Sequence, residues 1–271
     1  MRVAVCQMRS GEDVDSNVAT AERLLLEAAD GGADLAALPE TFTYLGSSSG
    51  RAAAAETVPG PTTERLASVA RERAMWILGG SVIETDGEHL YNTSTLFDRT
   101  GELVARYRKI HLFDVELPGQ PPFRESATFA PGDQLVTHET DVARVGLSIC
   151  YDLRFPELYR GLMVLGAEVL LVPAQFQHDT GKDHWEVLLR ARAIENQCFV
   201  VAPAQWGTFG PSERGRRSFG HSLVVDPWGR ILVDAPQEGD GAWFADLDLA
   251  ELRRIRQQLP ALQHRRLGLI C

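Results

Sequence analysis

Gly32-Ala33-Asp34-Leu35-Ala36-Ala37-Leu38-Pro39 is answered later in the chain by Gly166-Ala167-Glu168-Val169-Leu170-Leu171-Val172-Pro173. Each word is a glycine turn, an acidic residue and a short apolar run stopped by proline. A run of that length between breakers reads as a strand buried on both faces. Two further pairs keep the same order. Arg2-Val3 opens a strand through Gln7, and Arg144-Val145 opens one through Cys150. Ser94…Asp98…Gly101 corresponds to Ser222…Asp226…Gly229. In both, Asp begins a hairpin turn and Gly ends it, the residues a type I turn prefers. Three matches in one order indicate a duplicated unit.

Outward from these words, strand and helix periods alternate. In the first half a helix capped by Asp15 or Ser16 runs through Leu26 and closes at Gly31-Gly32. A second helix covers Thr62 to Ala74, a strand covers Trp76 to Ile83, and Thr93–Asp98 pairs with Glu102–Tyr107. In the second half, helices over Pro156–Leu165 and His184–Asn196 flank the strands Val169–Val172 and Phe199–Pro203. Leu223–Asp226 then pairs with Ile231–Asp234. Each half is about βαβαββ, a sheet with helices on one face. Packing the two bare faces together gives an α/β fold of four layers, an α-β-β-α sandwich. The expected organisation is a single domain over 1–271, with pseudo-repeated halves at about 1–112 and 142–250. Leu117–Pro131 is a loop between them. A short helix, Leu249–Gln258, precedes a tail over 259–271.

The 271 residues, 29.9 kDa, suit one large domain or two small ones. Such a chain buries nearly three quarters of roughly 43,000 Å² of unfolded surface. The formal charge of −10 disfavours nucleic acid as a partner. No apolar run is long enough to cross a membrane, and the N-terminus lacks the pattern of a leader. Cys6, Cys150, Cys198 and Cys271 are scattered, as expected of reduced thiols in a cytoplasmic protein. Of 27 basic residues only Lys109 and Lys182 are lysines. A chain that otherwise makes its cations from arginine can keep lysine where a compact amine is needed.

The repeat also shows where its halves diverge. Glu40 follows the first Leu-Pro, whereas Ala174 follows the second Val-Pro. Cys150 ends the second Arg-Val strand where Met8 ends the first. Lys109 follows the first hairpin and has no counterpart after the second. Singly, these read as a loop carboxylate, a core thiol and a surface cation. However, Cys150 precedes a helix start at the carboxyl edge of a sheet, where ligands bind in open α/β folds. The helix N-terminus and a nearby ammonium would favour its thiolate. His111, His184 and His221 read as structural, not as part of a Cys/His dyad, and no spacing fits a zinc site. Arg214, Arg216 and Arg217 form a loop cluster that could meet a substrate carboxylate.

Leu38-Pro39-Glu40, Arg108-Lys109-Ile110-His111 and Ile149-Cys150-Tyr151-Asp152-Leu153-Arg154-Phe155-Pro156-Glu157 resemble the nitrilase superfamily of carbon–nitrogen hydrolases, and the resemblance runs from end to end. It implies a nitrilase-like αββα fold, a Glu40–Lys109–Cys150 triad and assembly as a homodimer or higher homo-oligomer. It also implies hydrolysis of a small-molecule amide to acid and ammonia through a cysteine thioester, with no cofactor. The words from Asp114 to Ser126, His184-Trp185-Glu186, Val225-Asp226-Pro227-Trp228-Gly229 and Ala204-Gln205-Trp206-Gly207 look like the branch of deaminated glutathione amidases. The ω-amidase branch, acting on α-ketoglutaramate, shares many of them. The resemblance adds a second glutamate to the site, Glu125 by local words or Glu116 failing that. The backbone N–H of Tyr151 is expected to serve as an oxyanion donor. Arg124, Arg154 and His184 are the expected substrate contacts. A catalytically silent interaction scaffold is the non-enzyme alternative, and the presence of all three triad residues speaks against it.

Overall fold

The computed structural model describes residues 1–116, 122–210 and 216–268. The first half forms β1 (Arg2–Gln7), α1 (Val14–Asp30), β2 (Leu35–Ala37), α2 (Ser48–Ala53), α3 (Pro61–Arg73), β3 (Trp76–Leu78), β4 (Val82–Thr85), β5 (Leu90–Phe97) and β6 (Leu103–Arg108). Two short strands, β7 (Asp114–Val115) and β8 (Phe123–Arg124), pair with each other. The second half forms β9 (Val136–Glu139), β10 (Arg144–Leu147), α4 (Pro156–Val164), β11 (Val169–Leu171), α5 (His178–Asn196) and β12 (Phe199–Ala202). A separate hairpin, β13 (Trp206–Phe209) and β14 (Arg216–Phe219), precedes β15 (Leu223–Val225), β16 (Ile231–Asp234), β17 (Gly241–Asp246) and α6 (Leu249–Gln258).

The two sheets repeat one pairing scheme. In the first, β1, β2 and β3 run parallel and β5 returns antiparallel beside β3, with β6 on β5. In the second, β10, β11 and β12 run parallel, then β15 and β16 return. The matched words stand at one register: Leu35 lies between Val3 and Trp76, and Val169 lies between Val145 and Phe199. The hairpin turns match atom for atom. Asp98 Oδ1 accepts from Thr100 N and Glu102 N, and Asp226 Oδ1 from Trp228 N and Arg230 N. One strand crosses between the halves. β17, late in the chain, pairs antiparallel with β1, as β9 does with β10.

Side-chain alternation sets the layers. Val3, Val5, Leu35 and Ala37 share one buried cluster with Val145, Leu147, Val169 and Leu171 of the second sheet. Ala4, Cys6, Ala36 and Leu38 point the other way, against Leu24 and Leu25 of α1 and Leu66 and Ala70 of α3. Trp185 and Leu189 of α5 and Leu158 and Leu162 of α4 cover the second sheet. The result is the four-layer sandwich. Each fully buried leucine on α1 contributes about 1.5–3 kcal/mol.

Four local readings change. Asp13, not Asp15 or Ser16, caps α1, accepting from Ser16 N at 3.0 Å. The run Trp76–Ile83 divides into β3 and β4. There Gly80 takes φ 48°, and a Cβ at Gly80 would collide with the carbonyl of Pro39. α5 begins six residues before His184. The second Arg-Val strand ends at Leu147, so Cys150 opens a 3-10 turn.

Candidate active site

Four chain segments deliver their side chains to one end of the sandwich. Beyond β2, Leu38 N–H still donates to Leu78 O, and Glu40 follows at the carboxyl edge. Thr41 takes φ 49° and donates its N–H to Ser81 Oγ, which turns the chain away behind Glu40. Lys109 follows β6, its N–H bonded to Asn92 O of β5. Cys150 N–H donates to Pro173 O, the end of the second repeated word. Glu125 opens a 3-10 turn after β8, its N–H on Phe113 O.

Three charged side chains meet there with almost no exposure: Glu40 4%, Lys109 2% and Glu125 5%. Lys109 Nζ lies 2.8 Å from Glu40 Oε1 and 2.9 Å from Glu125 Oε2. Asn92 Nδ2 donates to both carboxylates, at 2.9 and 3.1 Å. Gln175 N–H holds Glu40 Oε2 at 2.7 Å, and Phe113 N–H holds Glu125 Oε2 at 2.7 Å. Buried carboxylates persist only with such partners. Burial would lower the Lys109 ammonium, but Glu125 and Glu40 reverse this and hold it well above the ordinary lysine range. Burial would raise Glu125, but the Lys109 charge and the Phe113 N–H bring it below its usual value.

The thiol behaves differently from the expectation of a thiolate. Burial, and then the adjacent Glu40 carboxylate, push Cys150 well above the ordinary thiol range; Lys109 offsets only part of this. A single ammonium shared by two carboxylates leaves no surplus positive charge for sulfur. In the free protein at neutral pH, the ultraviolet absorbance difference against Cys150→Ala should therefore show no thiolate. A thiolate band at pH 7 would contradict this reading.

Cys150 also adopts φ 44°, a left-handed conformation rare for a residue with a side chain. Asp152 pins it. Fully buried, Asp152 accepts from Ile149 N–H (2.8 Å), Tyr107 Oη–H (2.7 Å) and His111 N–H (3.1 Å), and contacts His111 Nδ1 (2.8 Å). These bonds tie the cysteine turn to the segment that carries Lys109. The N–H of Tyr151 falls in the first turn of that 3-10 helix, where donors lack intrahelical partners.

A cleft of about 560 Å³ opens above Glu40, Lys109, Glu125 and Cys150, walled by Tyr44, Phe113, Phe123 and Phe129 and by Arg51 and Arg216. A smaller cavity of about 230 Å³ shares Cys150, Phe113 and Gln175 and adds Tyr151, Arg154 and Phe176. The expected substrate contacts divide. Arg154 lines the smaller cavity. His184 is exposed, with Nδ1 3.3 Å from Arg154 Nη1. Arg124 and Glu116 are exposed and line neither space; of the two candidate glutamates, Glu125 is the one that meets Lys109. Among the described residues no histidine lines either space: His111 meets Asp152 and His221 meets Asp234. Arg214 and Cys271 lie outside the described residues.

Residues 2–257 match the family model described as carbon-nitrogen hydrolase. The chain belongs to the carbon–nitrogen hydrolase family. A deaminated glutathione amidase of Synechocystis is 45% identical over 267 residues, 97% of each chain. An omega-amidase of Mus musculus is 40% identical over 271 residues, 99% of this chain and 96% of that one. The crystal structure of the NitFhit protein of C. elegans superposes with a TM-score of 0.88 at 37% identity, over 98% of this chain and 65% of that longer one. A glutamate-to-glutamine mutant of the amidase from Nesterenkonia, showing Michael addition of acrylamide at its active-site cysteine, superposes at 0.79 with 29% identity, over 97% and 99%. This carbon–nitrogen hydrolase is thus an enzyme of the amidase type with a nitrilase-like sandwich.

Sequence reading missed Asn92, Gln175, Tyr44 and Arg51 at the site of this hydrolase. Gln175 had a signal: it is the repeat counterpart of Thr41, one residue beyond the Glu40/Ala174 divergence. Arg51 had none, because α2 belongs to no repeated word.

Proposed function

We propose that Cys150 attacks the carbonyl of a small amide while Glu40 takes the thiol proton and passes it to the leaving nitrogen. The observation that carries this reading is the buried Lys109 ammonium held between two carboxylates beside the Cys150 thiol. Lys109 and the Tyr151 N–H stabilise the oxyanion, each such donor contributing about 3–4 kcal/mol. Glu40 then activates water to hydrolyse the thioester. Glu40 is neutral while it holds the proton, and Glu125 remains the counter-ion of Lys109 throughout.

The acyl group we assign is 2-oxoglutaryl, with deaminated glutathione as substrate and α-ketoglutaramate as the alternative. Support comes from relatives of both names, the amidases of deaminated glutathione at the higher identity. For α-ketoglutaramate the leaving group is ammonia. In deaminated glutathione it is the amine of cysteinylglycine. Both release 2-oxoglutarate, so one assay of that product compares them. The expected result is a higher kcat/KM for deaminated glutathione, because binding energy from the dipeptide end can be used in the transition state. The reverse order would assign the protein to the ω-amidase branch, and turnover of nitriles to acids in preference to either would remove the amidase reading.

We further propose one domain of two pseudo-repeated halves, working in the cytoplasm as a homodimer or higher homo-oligomer. Among the described residues no helix is long and apolar enough to cross a membrane. Exposed Val187 and Ile194, seven residues apart on α5, and exposed Trp228, whose neighbour Gly229 lies against Ile194, supply an apolar face suited to a second copy.

A further inference from the structure

The cleft contains two guanidinium groups that the chemistry above leaves unused. Arg51 comes from α2 and Arg216 from the start of β14, and both line the cleft over Cys150. They lie against a single ring: Cζ of Arg216 is 3.9 Å, and Cζ of Arg51 5.7 Å, from the centroid of Phe123. Among the described residues neither forms an ion pair or donates a hydrogen bond. Several other arginines with little exposure do find carboxylates. Arg108 meets Glu84 at 2.6 Å, Arg65 meets Glu22 at 2.6 Å and Arg192 meets Glu195 at 2.9 Å.

Two like charges meet on one half-buried phenyl ring and repel each other. Burial lowers both guanidinium groups; Arg51 lowers Arg216 further, while Glu125 and Glu40 offset part of the effect on Arg51. Arginine nevertheless stays charged, so an anion placed between the two offsets their repulsion. The floor of the cleft has the opposite bias, with Glu40 and Glu125 sharing one ammonium. An elongated ligand with a neutral amide at one end and a carboxylate at the other is therefore oriented. The amide is tolerated at the carboxylate-rich floor, and the anionic end is drawn to the arginine wall.

We propose that Arg51 and Arg216 form a carboxylate clamp that selects amides whose acyl chain ends in a carboxylate. The inference rests on the amidase reading and deepens it, since such a carboxylate is the anionic group common to both candidate substrates. The aromatic ring fixes the planes of the two forks, and guanidinium–carboxylate pairing adds geometry to charge.

The test pairs glutaramate with pentanamide, its uncharged counterpart of equal chain length, and adds calorimetric titration of glutarate into the Cys150→Ala protein. Arg51→Gln and Arg216→Gln should each lower kcat/KM for glutaramate about 10- to 100-fold, mainly through KM, and weaken glutarate by a similar factor. Pentanamide hydrolysis should change less than about threefold. Arg51→Lys and Arg216→Lys, which keep the charge, should recover part of the loss. Equal losses on both amides, no loss on glutaramate, or unchanged glutarate affinity would overturn the clamp. If the wild type hydrolyses neither amide and also spares α-ketoglutaramate and deaminated glutathione, the amidase reading fails; if it spares only the two test amides, that reading stands; in both cases the glutarate titration alone decides the clamp.

Discussion

Cys150→Ala should reduce amide turnover by about four orders of magnitude or more, with a melting temperature close to that of the wild type. The activity loss is large because no other group can form the acyl intermediate. Among the described residues Cys6 and Cys198 are the other cysteines, and both are fully buried. Burial pushes Cys6 up to about 12 and Cys198 up to about 11, so neither supplies a thiolate at neutral pH. Stability should hold because Glu40 keeps Lys109, Asn92 and the Gln175 N–H when the thiol is removed. Alkylation that kills activity should map by mass spectrometry to Cys150 and to neither of the other two. A Cys150→Ala protein retaining more than a tenth of wild-type turnover would refute the thioester route.

Replacing Lys109 should cost nearly as much and should also reach stability. Lys109→Arg keeps the charge but brings a planar fork into a space shaped for an ammonium with two carboxylate partners. The oxyanion donor is misplaced, and kcat should fall about 100-fold or more. Lys182→Arg is the matched control. Lys182 is 58% exposed beside Asp183, so its replacement should be silent. Lys109→Met removes the only ion-pair partner that either Glu40 or Glu125 has among the described residues. Breaking a buried pair from one side costs about 3–5 kcal/mol. The sign of its pH dependence follows. In the wild type, Glu125 has a depressed folded value, so its contribution is present above the unfolded carboxylate range and is lost as pH falls through the folded value. In Lys109→Met the two carboxylates lack a counter-ion, and burial then drives the folded value of Glu125 up. That variant should lose stability as pH rises from about 4 to about 8, because desolvation then favours the protonated carboxyl. Thermal melts of both proteins across this range check it. Parallel pH profiles would mean that Lys109 is not the counter-ion.

The layered architecture was legible without coordinates because it rests on local, repeated information. Strand words such as Leu35–Leu38 and Val169–Val172 are apolar on both faces, so each sheet must be covered twice, and the only economical arrangement has four layers. The three residues proposed as the triad stood out for a related reason. Packing positions of a duplicated scaffold resemble their counterparts, whereas Glu40, Lys109 and Cys150 depart from Ala174, the second hairpin and Met8. What stayed hidden depended on contacts distant in the chain. The pairing of β17 with β1 joins residues at opposite ends of the sequence, and no local periodicity encodes such a partner. The protonation of Cys150 could not be read from its turn, since it depends on how many carboxylates share the Lys109 ammonium once all four groups are buried together. The choice of Glu125 over Glu116 turned on which of two loop carboxylates points inward at Lys109. Arg51 and Arg216 meet over Phe123 only after α2, β8 and β14, from different parts of the chain, converge on the cleft. Burial and electrostatics at this site are properties of that convergence, and only the tertiary structure sets them.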